Sequence, residues 1–140
     1  MLEKRDRVIF DTNIWISYLI SDEFSSLDTL IIDQYIDLIY SEELLEEFIA
    51  VARRGKFSRY FTENDVNYLV DGLLKFAEFF DVKSNFNLCR DPKDNFLLSL
   101  SFDAQATHLI TGDKDLLEIE YFYGTRILDY AGYIKSKSFF

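Results

Sequence analysis

The chain has 140 residues and a formal net charge of −10, and 49% of its residues are hydrophobic. This length predicts a single domain, residues 1–140, that can bury roughly two thirds of the surface its unfolded chain exposes. The hydrophobic fraction excludes a disordered chain, and a lone cysteine, Cys89, excludes an internal disulfide. Because no apolar run is long enough to span a bilayer and the first residues do not resemble a signal peptide, we expect a cytoplasmic protein with no membrane partner.

The acidic net charge argues against general electrostatic attraction to nucleic acid, because proteins that grip the phosphate backbone usually carry a basic face. Any such contact would depend on local clusters. Two basic clusters are present: Lys4, Arg5 and Arg7, then Arg53, Arg54, Lys56 and Arg59. Solvated surface charge explains these clusters at least as well.

Strand-like and helix-like segments alternate along the chain. The patterns predict strands at 7–11, 37–40, 108–111 and 125–128, and helices at 14–20, 24–35, 41–53, 62–80, 95–104 and 115–118. Such alternation favours an α/β fold, with a mainly parallel central sheet that helices cover on both faces.

Several helix starts carry recognisable caps. Ser41 precedes a helix that should end near Gly55, and Thr62 with Asp65 resembles a capping box at the start of the longest predicted helix. The final pair, Phe139 and Phe140, is expected to pack on the core or on a partner.

Asp11 directly follows the apolar run Val8-Ile9-Phe10, so its carboxylate is expected at the carboxyl edge of the sheet, where ligands bind in such folds. Thr12 and Asn13 are placed to orient it. The alternative is that Asp11 caps the following helix, a position at which Asp, Thr and Asn are all preferred.

Asp91-Pro92-Lys93-Asp94 forms a sound helix start, with a capping Asp and a Pro at the first helical position. Asp94 shares a helical face with Leu97 and Leu98, which should turn it toward the sheet. We therefore interpret Asp91 as the cap and Asp94 as a candidate ligand.

Thr111-Gly112-Asp113-Lys114-Asp115 follows an apolar strand in the same manner as Asp11. The alternative role for Asp113 is again a helix cap.

Glu46 and Glu47 lie in a predicted helix, and Glu47 shares the apolar stripe whereas Glu46 does not. Spacing alone leaves open which of the two faces the sheet.

Three other residues are interpreted as structural. His108, the only histidine, begins a predicted strand far from the expected rim. Trp15 and Tyr18 follow Asp11 on a helix. Stacking on bases is the alternative role for these rings, but their spacing favours packing in the core.

The four acidic segments, taken in order, resemble the PIN-domain nucleases, in particular the branch of toxins from bacterial toxin-antitoxin pairs. The resemblance spans most of the chain, and the Asp-Pro-x-Asp and Thr-Gly-Asp-x-Asp-Leu-Leu signatures are its most specific parts. It implies a three-layer α/β/α sandwich, a Mg²⁺ or Mn²⁺ site, single-stranded RNA as substrate, a cognate antitoxin and, by analogy, a homodimer.

The resemblance also assigns roles to individual residues. It implies that Asp11, Glu47, Asp94 and Asp113 are the catalytic metal ligands, with Asp115 as a further candidate ligand. Thr12, Asn13 and Thr111 would hold ligating carboxylates by hydrogen bonds. Carboxylates suit Mg²⁺ because this cation prefers oxygen ligands.

Other classes of protein remain as alternatives. A catalytically weak PIN-fold module could bind RNA or a protein. A receiver-like signalling domain also binds Mg²⁺ at a sheet edge, but it would need adjacent acids early in the chain. A haloacid-dehalogenase-like phosphatase would need an Asp in place of Asn13.

Overall fold

The computed structural model describes residues 5–137. The predictions for Lys4 and for the Phe139-Phe140 end lie outside these residues. The strands are β1 (Asp6–Phe10), β2 (Ile36–Tyr40), β3 (Glu78–Phe79), β4 (His108–Ile110), β5 (Tyr121–Phe122) and β6 (Thr125–Leu128). The helices are α1 (Thr12–Ile20), α2 (Ser26–Ile32), α3 (Glu42–Ala52), α4 (Glu63–Phe76), α5 (Pro92–Asp103), α6 (Lys114–Leu117) and α7 (Tyr130–Ser136).

The six strands form one sheet in the order β3-β2-β1-β4-β6-β5. All neighbouring pairs are parallel except β5 and β6. At the centre, Phe10 of β1 pairs with Ile110 of β4, and the Asp11 N–H donates to the Ile110 carbonyl at 2.9 Å. The carboxyl ends of these two strands therefore meet, although they are distant in sequence.

The central strands are covered on both faces. Val8, Ile9 and Phe10 are all fully buried, and successive strand residues point to opposite faces of a sheet. The predicted three-layer α/β/α sandwich is thereby confirmed. Trp15 lies in this core, edge-on to Phe10 at 5.5 Å between ring centroids, as its helical spacing predicted.

The predicted caps form. Ser41 Oγ accepts from the Leu44 N–H at 3.1 Å, and Thr62 and Asp65 make both hydrogen bonds of a capping box. Among the described residues α4 is the longest helix. Within residues 5–137, no helix combines the length and the apolar character that crossing a membrane requires.

Two predicted helices were too long. Of the helix predicted at 24–35, only α2 (Ser26–Ile32) forms an α-helix. A 3₁₀ turn precedes α2, and Gln34 adopts a φ of 56° in the turn that follows it. The helix predicted to reach residue 80 ends at Phe76, because the chain then becomes extended and pairs with β2; the Phe80 N–H donates to the Tyr40 carbonyl at 3.0 Å. Strands β3 and β5 and helix α7 were not predicted.

Candidate metal centre

Four elements deliver acidic side chains to the carboxyl edge of the sheet. Asp11 follows β1, Asp113 follows β4 by way of Thr111, Glu47 lies on the helix after β2, and Asp94 lies in the first turn of α5. Because parallel strands end at one edge, this topology brings together residues from distant parts of the chain.

Asp94, Asp113 and Asp115 form the tightest acidic group. Each offers one carboxylate oxygen, and these oxygens all lie within 4.8 Å of one another. Asp113 also caps α6, since its Oδ1 accepts from the Asp115 N–H at 2.8 Å. Capping and membership of the acidic group are therefore compatible roles for Asp113.

Asp94 is buried, with a relative exposure of 4%. Its Oδ2 has no hydrogen-bond partner within the described part of the chain. Burial, together with the negative charges of Asp113, Asp91 and Asp11, raises the pKa of Asp94 to about 7. Asp91, in contrast, caps α5 by accepting from the Lys93 N–H at 3.0 Å, as the sequence predicted.

Asp11 is held by Thr111. The Thr111 hydroxyl donates to Asp11 Oδ2 at 2.8 Å and accepts from the Asp113 N–H at 3.0 Å. The Asp11 side chain makes no capping hydrogen bond to α1, so Asp11 does not act as a side-chain cap of this helix. Burial, and then the charges of Glu47 and Asp113, raise the pKa of Asp11.

Glu47 faces the acidic site and Glu46 is exposed. The charge of Glu47 raises the pKa of Asp11 from across the site. Its Oε1 lies 3.6 Å from the Lys93 ammonium group. The half-buried position of Glu47 agrees with its place on the apolar stripe of this helix, whereas Glu46 lies on the exposed side.

Two cations at the rim were not foreseen from the sequence. Arg90 donates to both carboxylate oxygens of Asp115 at 3.0 Å, while its own side chain is 89% exposed. Lys93 pairs with Glu47. Arg90 directly precedes the Asp-Pro-x-Asp signature and Lys93 lies within it. This proximity was the available signal, but spacing does not specify which acid each cation pairs with.

Asn95 was also missed as an organising residue. Its amide accepts from the Cys89 N–H at 2.7 Å and donates to the Cys89 carbonyl at 2.9 Å. This pair of hydrogen bonds fixes the irregular segment before α5 against the helix. Asn95 follows Asp94 directly and is buried, so it holds the segment that carries Arg90 close to the acidic group.

The remaining candidates lie at different places. Thr12 is buried, and its hydroxyl has no hydrogen-bond partner among the described residues. Asn13 is exposed and lines a cavity beside Thr111. His108 is buried at the start of β4, at the end of the strand opposite to the acids, and burial lowers its pKa.

The donor set fits a hard divalent cation. Three carboxylate oxygens within 4.8 Å of one another repel by roughly 3 kcal/mol per ionised pair at an effective dielectric near 20. A buried carboxylate oxygen without a partner, as on Asp94, is costly unless something neutralises it. Oxygen-only ligation is what Mg²⁺ and Mn²⁺ favour.

The fold and the site define an α/β protein with a carboxylate cluster at the carboxyl edge of a parallel sheet. The family model for the PIN domain matches residues 7–115, and the chain belongs to the PIN-domain family. This confirms the family that the sequence motifs indicated.

Two further proteins are similar to the chain. An uncharacterised protein of Methanocaldococcus jannaschii is 29% identical over 116 residues, which are 81% of this chain and 74% of that protein. The fold of this chain also matches a chain in the crystal structure of VapBC2 from Rickettsia felis bound to a DNA fragment from the VapBC2 promoter, with a TM-score of 0.58 and 15% sequence identity. That match covers 89% of this chain and 98% of the other, and at this identity it supports the fold alone.

Proposed function

We propose that the protein is a metal-dependent endoribonuclease that hydrolyses phosphodiester bonds of single-stranded RNA. The observation that carries the proposal is the group of Asp94, Asp113 and Asp115 beside Asp11 in a PIN-domain chain. Asp11, Asp94 and Asp113 would hold Mg²⁺ or Mn²⁺, with Asp115 as an additional ligand. A divalent cation supplies positive charge that activates water and neutralises the phosphoryl oxygens.

The chain's own side chains have separate tasks in this proposal. Thr111 fixes the orientation of Asp11 by its hydrogen bond, and Thr12 and Asn13 border the same residue. Glu47 is half-buried at the site and is proposed as a ligand or as the base that accepts the proton of the attacking water. Arg90 and Lys93 present exposed cations to the phosphate backbone.

Incubation of purified protein with end-labelled single-stranded RNA tests the activity. Wild type should cleave the RNA with Mg²⁺ or Mn²⁺ and be inactive in EDTA. The cleavage rates of Asp11→Asn and Asp94→Asn should be lower by on the order of 100-fold or more, because each variant lacks one proposed ligating carboxylate. Asp33→Asn is a matched control, because Asp33 is exposed at the opposite edge of the sheet, just before β2.

Equal behaviour of wild type, Asp11→Asn and Asp94→Asn would contradict the nuclease proposal. RNA that is bound with undiminished affinity but never cut, with either metal, would instead favour the alternative of a catalytically weak binding module. The acidic net charge is the feature that favours this alternative.

We also propose that the protein is the toxin of a toxin-antitoxin pair, acts in the cytoplasm and forms a homodimer. The similarity to a chain of the VapBC2 structure supports this proposal, together with the sequence motifs. Induced expression in bacteria should stop growth, and expression of Asp94→Asn at the same level should not. Co-expression with the protein of a small neighbouring reading frame should restore growth and yield a stable complex.

A further inference from the structure

A cavity of about 640 Å³ opens beside the acidic site. It shares Asn13, Thr111 and Gly112 with the edge of the sheet at which the acids lie. Thr111 is the residue whose hydroxyl holds Asp11, so one residue borders both the candidate metal centre and the cavity. The volume falls within the range of about 300 to 1,000 Å³ that is usual for small-molecule sites.

The cavity has an aromatic wall. The rings of Phe24 and Tyr130 lie 4.6 Å apart between centroids, with their planes 35° from parallel. Ile14 and Ile134 add aliphatic surface. A wall of this kind suits a flat, apolar-faced group, because aromatic side chains stack on such faces.

Polar residues border a lining whose surface is mainly apolar, and Glu23 is one of two carboxylates among them. Asn13 offers an amide, which can both donate and accept, and Lys135 offers an exposed ammonium group. Asp129, which also lines the cavity, is engaged as the cap of α7, where it accepts from the Gly132 N–H at 2.7 Å. The lining therefore combines stacking surface, an amide that can read hydrogen-bonding edges, and a cation for phosphate.

From this combination we infer that the cavity binds the base of a nucleotide adjacent to the scissile phosphodiester of single-stranded RNA. The inference rests on the proposed function. Unpaired bases stack on aromatic side chains and are read along their edges by amides. A phosphate at the acids places its neighbouring base toward the residues that the two sites share. The cavity would thus set a base preference at one position flanking the cut.

Ala131→Trp tests this inference, because Ala131 lines the cavity at an exposed position of α7 and a large ring there would fill it. We expect KM for a single-stranded RNA substrate to rise roughly tenfold, as for the loss of one stacked base, with a smaller change in kcat. Base preference at one flanking position should disappear when products of a random RNA pool are sequenced. Asn67→Trp, at an exposed position of α4 outside the cavity, is the matched control and should behave as wild type.

A second readout does not depend on cleavage. RNA that contains 4-thiouridine, irradiated with wild-type protein in EDTA, should crosslink to the segment around Phe24 or to residues 130–135. If wild type cleaves RNA but Ala131→Trp keeps its KM and base preference, or the crosslinks map elsewhere, the inference is wrong and the proposed function stands. If wild type neither cleaves nor crosslinks to RNA, both fail.

Discussion

Thr111 links the ends of the two central strands at the candidate metal centre. Its hydroxyl donates to Asp11 and accepts from the Asp113 backbone, so it couples acids that follow β1 and β4. A second partner of this kind fixes the orientation of a ligating carboxylate. The residue is fully buried, and its place in the site therefore depends on the packing of both strands.

Thr111→Val should weaken Mn²⁺ binding by roughly 10- to 100-fold, because valine keeps the shape of threonine and removes only the hydroxyl. Isothermal titration calorimetry measures this affinity. Thr111→Ser, which keeps the hydroxyl, should remain close to wild type. Equal affinities of the valine and wild-type proteins would show that the hydrogen bond to Asp11 does not matter for metal binding.

Asp94→Asn should stabilise the metal-free protein at pH 8, and much less near pH 4. The pKa of Asp94 rises from its ordinary value of 3.8 to about 7 on folding, so the folded state binds the proton more tightly. The free energy of unfolding of wild type therefore falls as pH rises between about 4 and 7. Asparagine removes this penalty.

Thermal melts in EDTA measure the effect. We expect the Tm of Asp94→Asn to exceed that of wild type by on the order of 5 °C at pH 8, and by much less near pH 4, close to the unfolded pKa. Added Mg²⁺ should raise the Tm of wild type and not of the variant. A variant that is less stable than wild type at pH 8 without metal would contradict the assigned repulsion among the acids.

At the scale of elements, the start of α5 contributes to the candidate site through Asn95 as well as through its acids. Asn95 forms hydrogen bonds with the backbone N–H and carbonyl of Cys89, and Arg90, which follows Cys89, contacts Asp115. The last part of the irregular segment before the helix is thus held by one buried side chain. It brings a cation to a sheet edge that is otherwise crowded with negative charge.

Asn95→Ala should destabilise the protein by about 2 kcal/mol, because it removes two hydrogen bonds to partly buried backbone groups of Cys89. Urea unfolding measures this loss, and hydrogen exchange should show faster exchange of the Cys89 amide. Asn67→Ala, at an exposed position of α4, is the control and should change stability by no more than about 0.5 kcal/mol. An unchanged Cys89 amide in Asn95→Ala would show that other contacts hold the segment.

The same elements show what the sequence could and could not predict. Asp11 and Asp113 were identifiable because apolar strands end just before them, and topology alone then brings their segments together. Helix α4 was predicted too long because apolar spacing continues past Phe76, while pairing with β2 decides where the chain becomes extended. Strand β5 has two residues, too few for a period to be recognised.

The rim contacts had no comparable signal. Arg90 and Lys93 were visible as charges, but their partners are acids from other elements, and long flexible side chains can reach several. Asn95 stood inside a recognised motif, yet its double hydrogen bond to Cys89 depends on the path of an irregular segment. Periodicity does not determine such a path.

At the scale of the whole molecule, several residues of the basic clusters that the sequence offered for RNA pair with acids. Arg5 pairs with Asp37 at 3.1 Å and Arg7 with Glu78 at 3.4 Å, while Arg53 pairs with an acid in the first turn of α4 at 2.9 Å. Arg5 and Arg7 also lie at the end of β1 opposite to the acidic site, and the rest of the second cluster is exposed. The two rim cations lie at the acidic site itself, so we expect attraction to RNA to come mainly from them and from bound metal.

RNA binding should consequently depend weakly on monovalent salt. With two rim cations, Arg90 and Lys93, we expect the logarithm of the association constant to fall against log[KCl] with a slope of about −1.4. Fluorescence anisotropy in Mg²⁺, with a phosphorothioate RNA that resists hydrolysis, measures the slope. Arg90→Ala should reduce it by about 0.7, and a wild-type slope several times steeper would reveal an extended basic surface instead.

The adjacency of β1 and β4 also sets a time at which the protein can first act. Asp11 leaves the ribosome before Thr111 and Asp113, which are added about 100 residues later. Until those residues emerge and their strand pairs with β1, the growing polypeptide has no complete cluster of acids. Each newly made molecule therefore acquires the candidate metal centre only after this long intervening stretch has been translated.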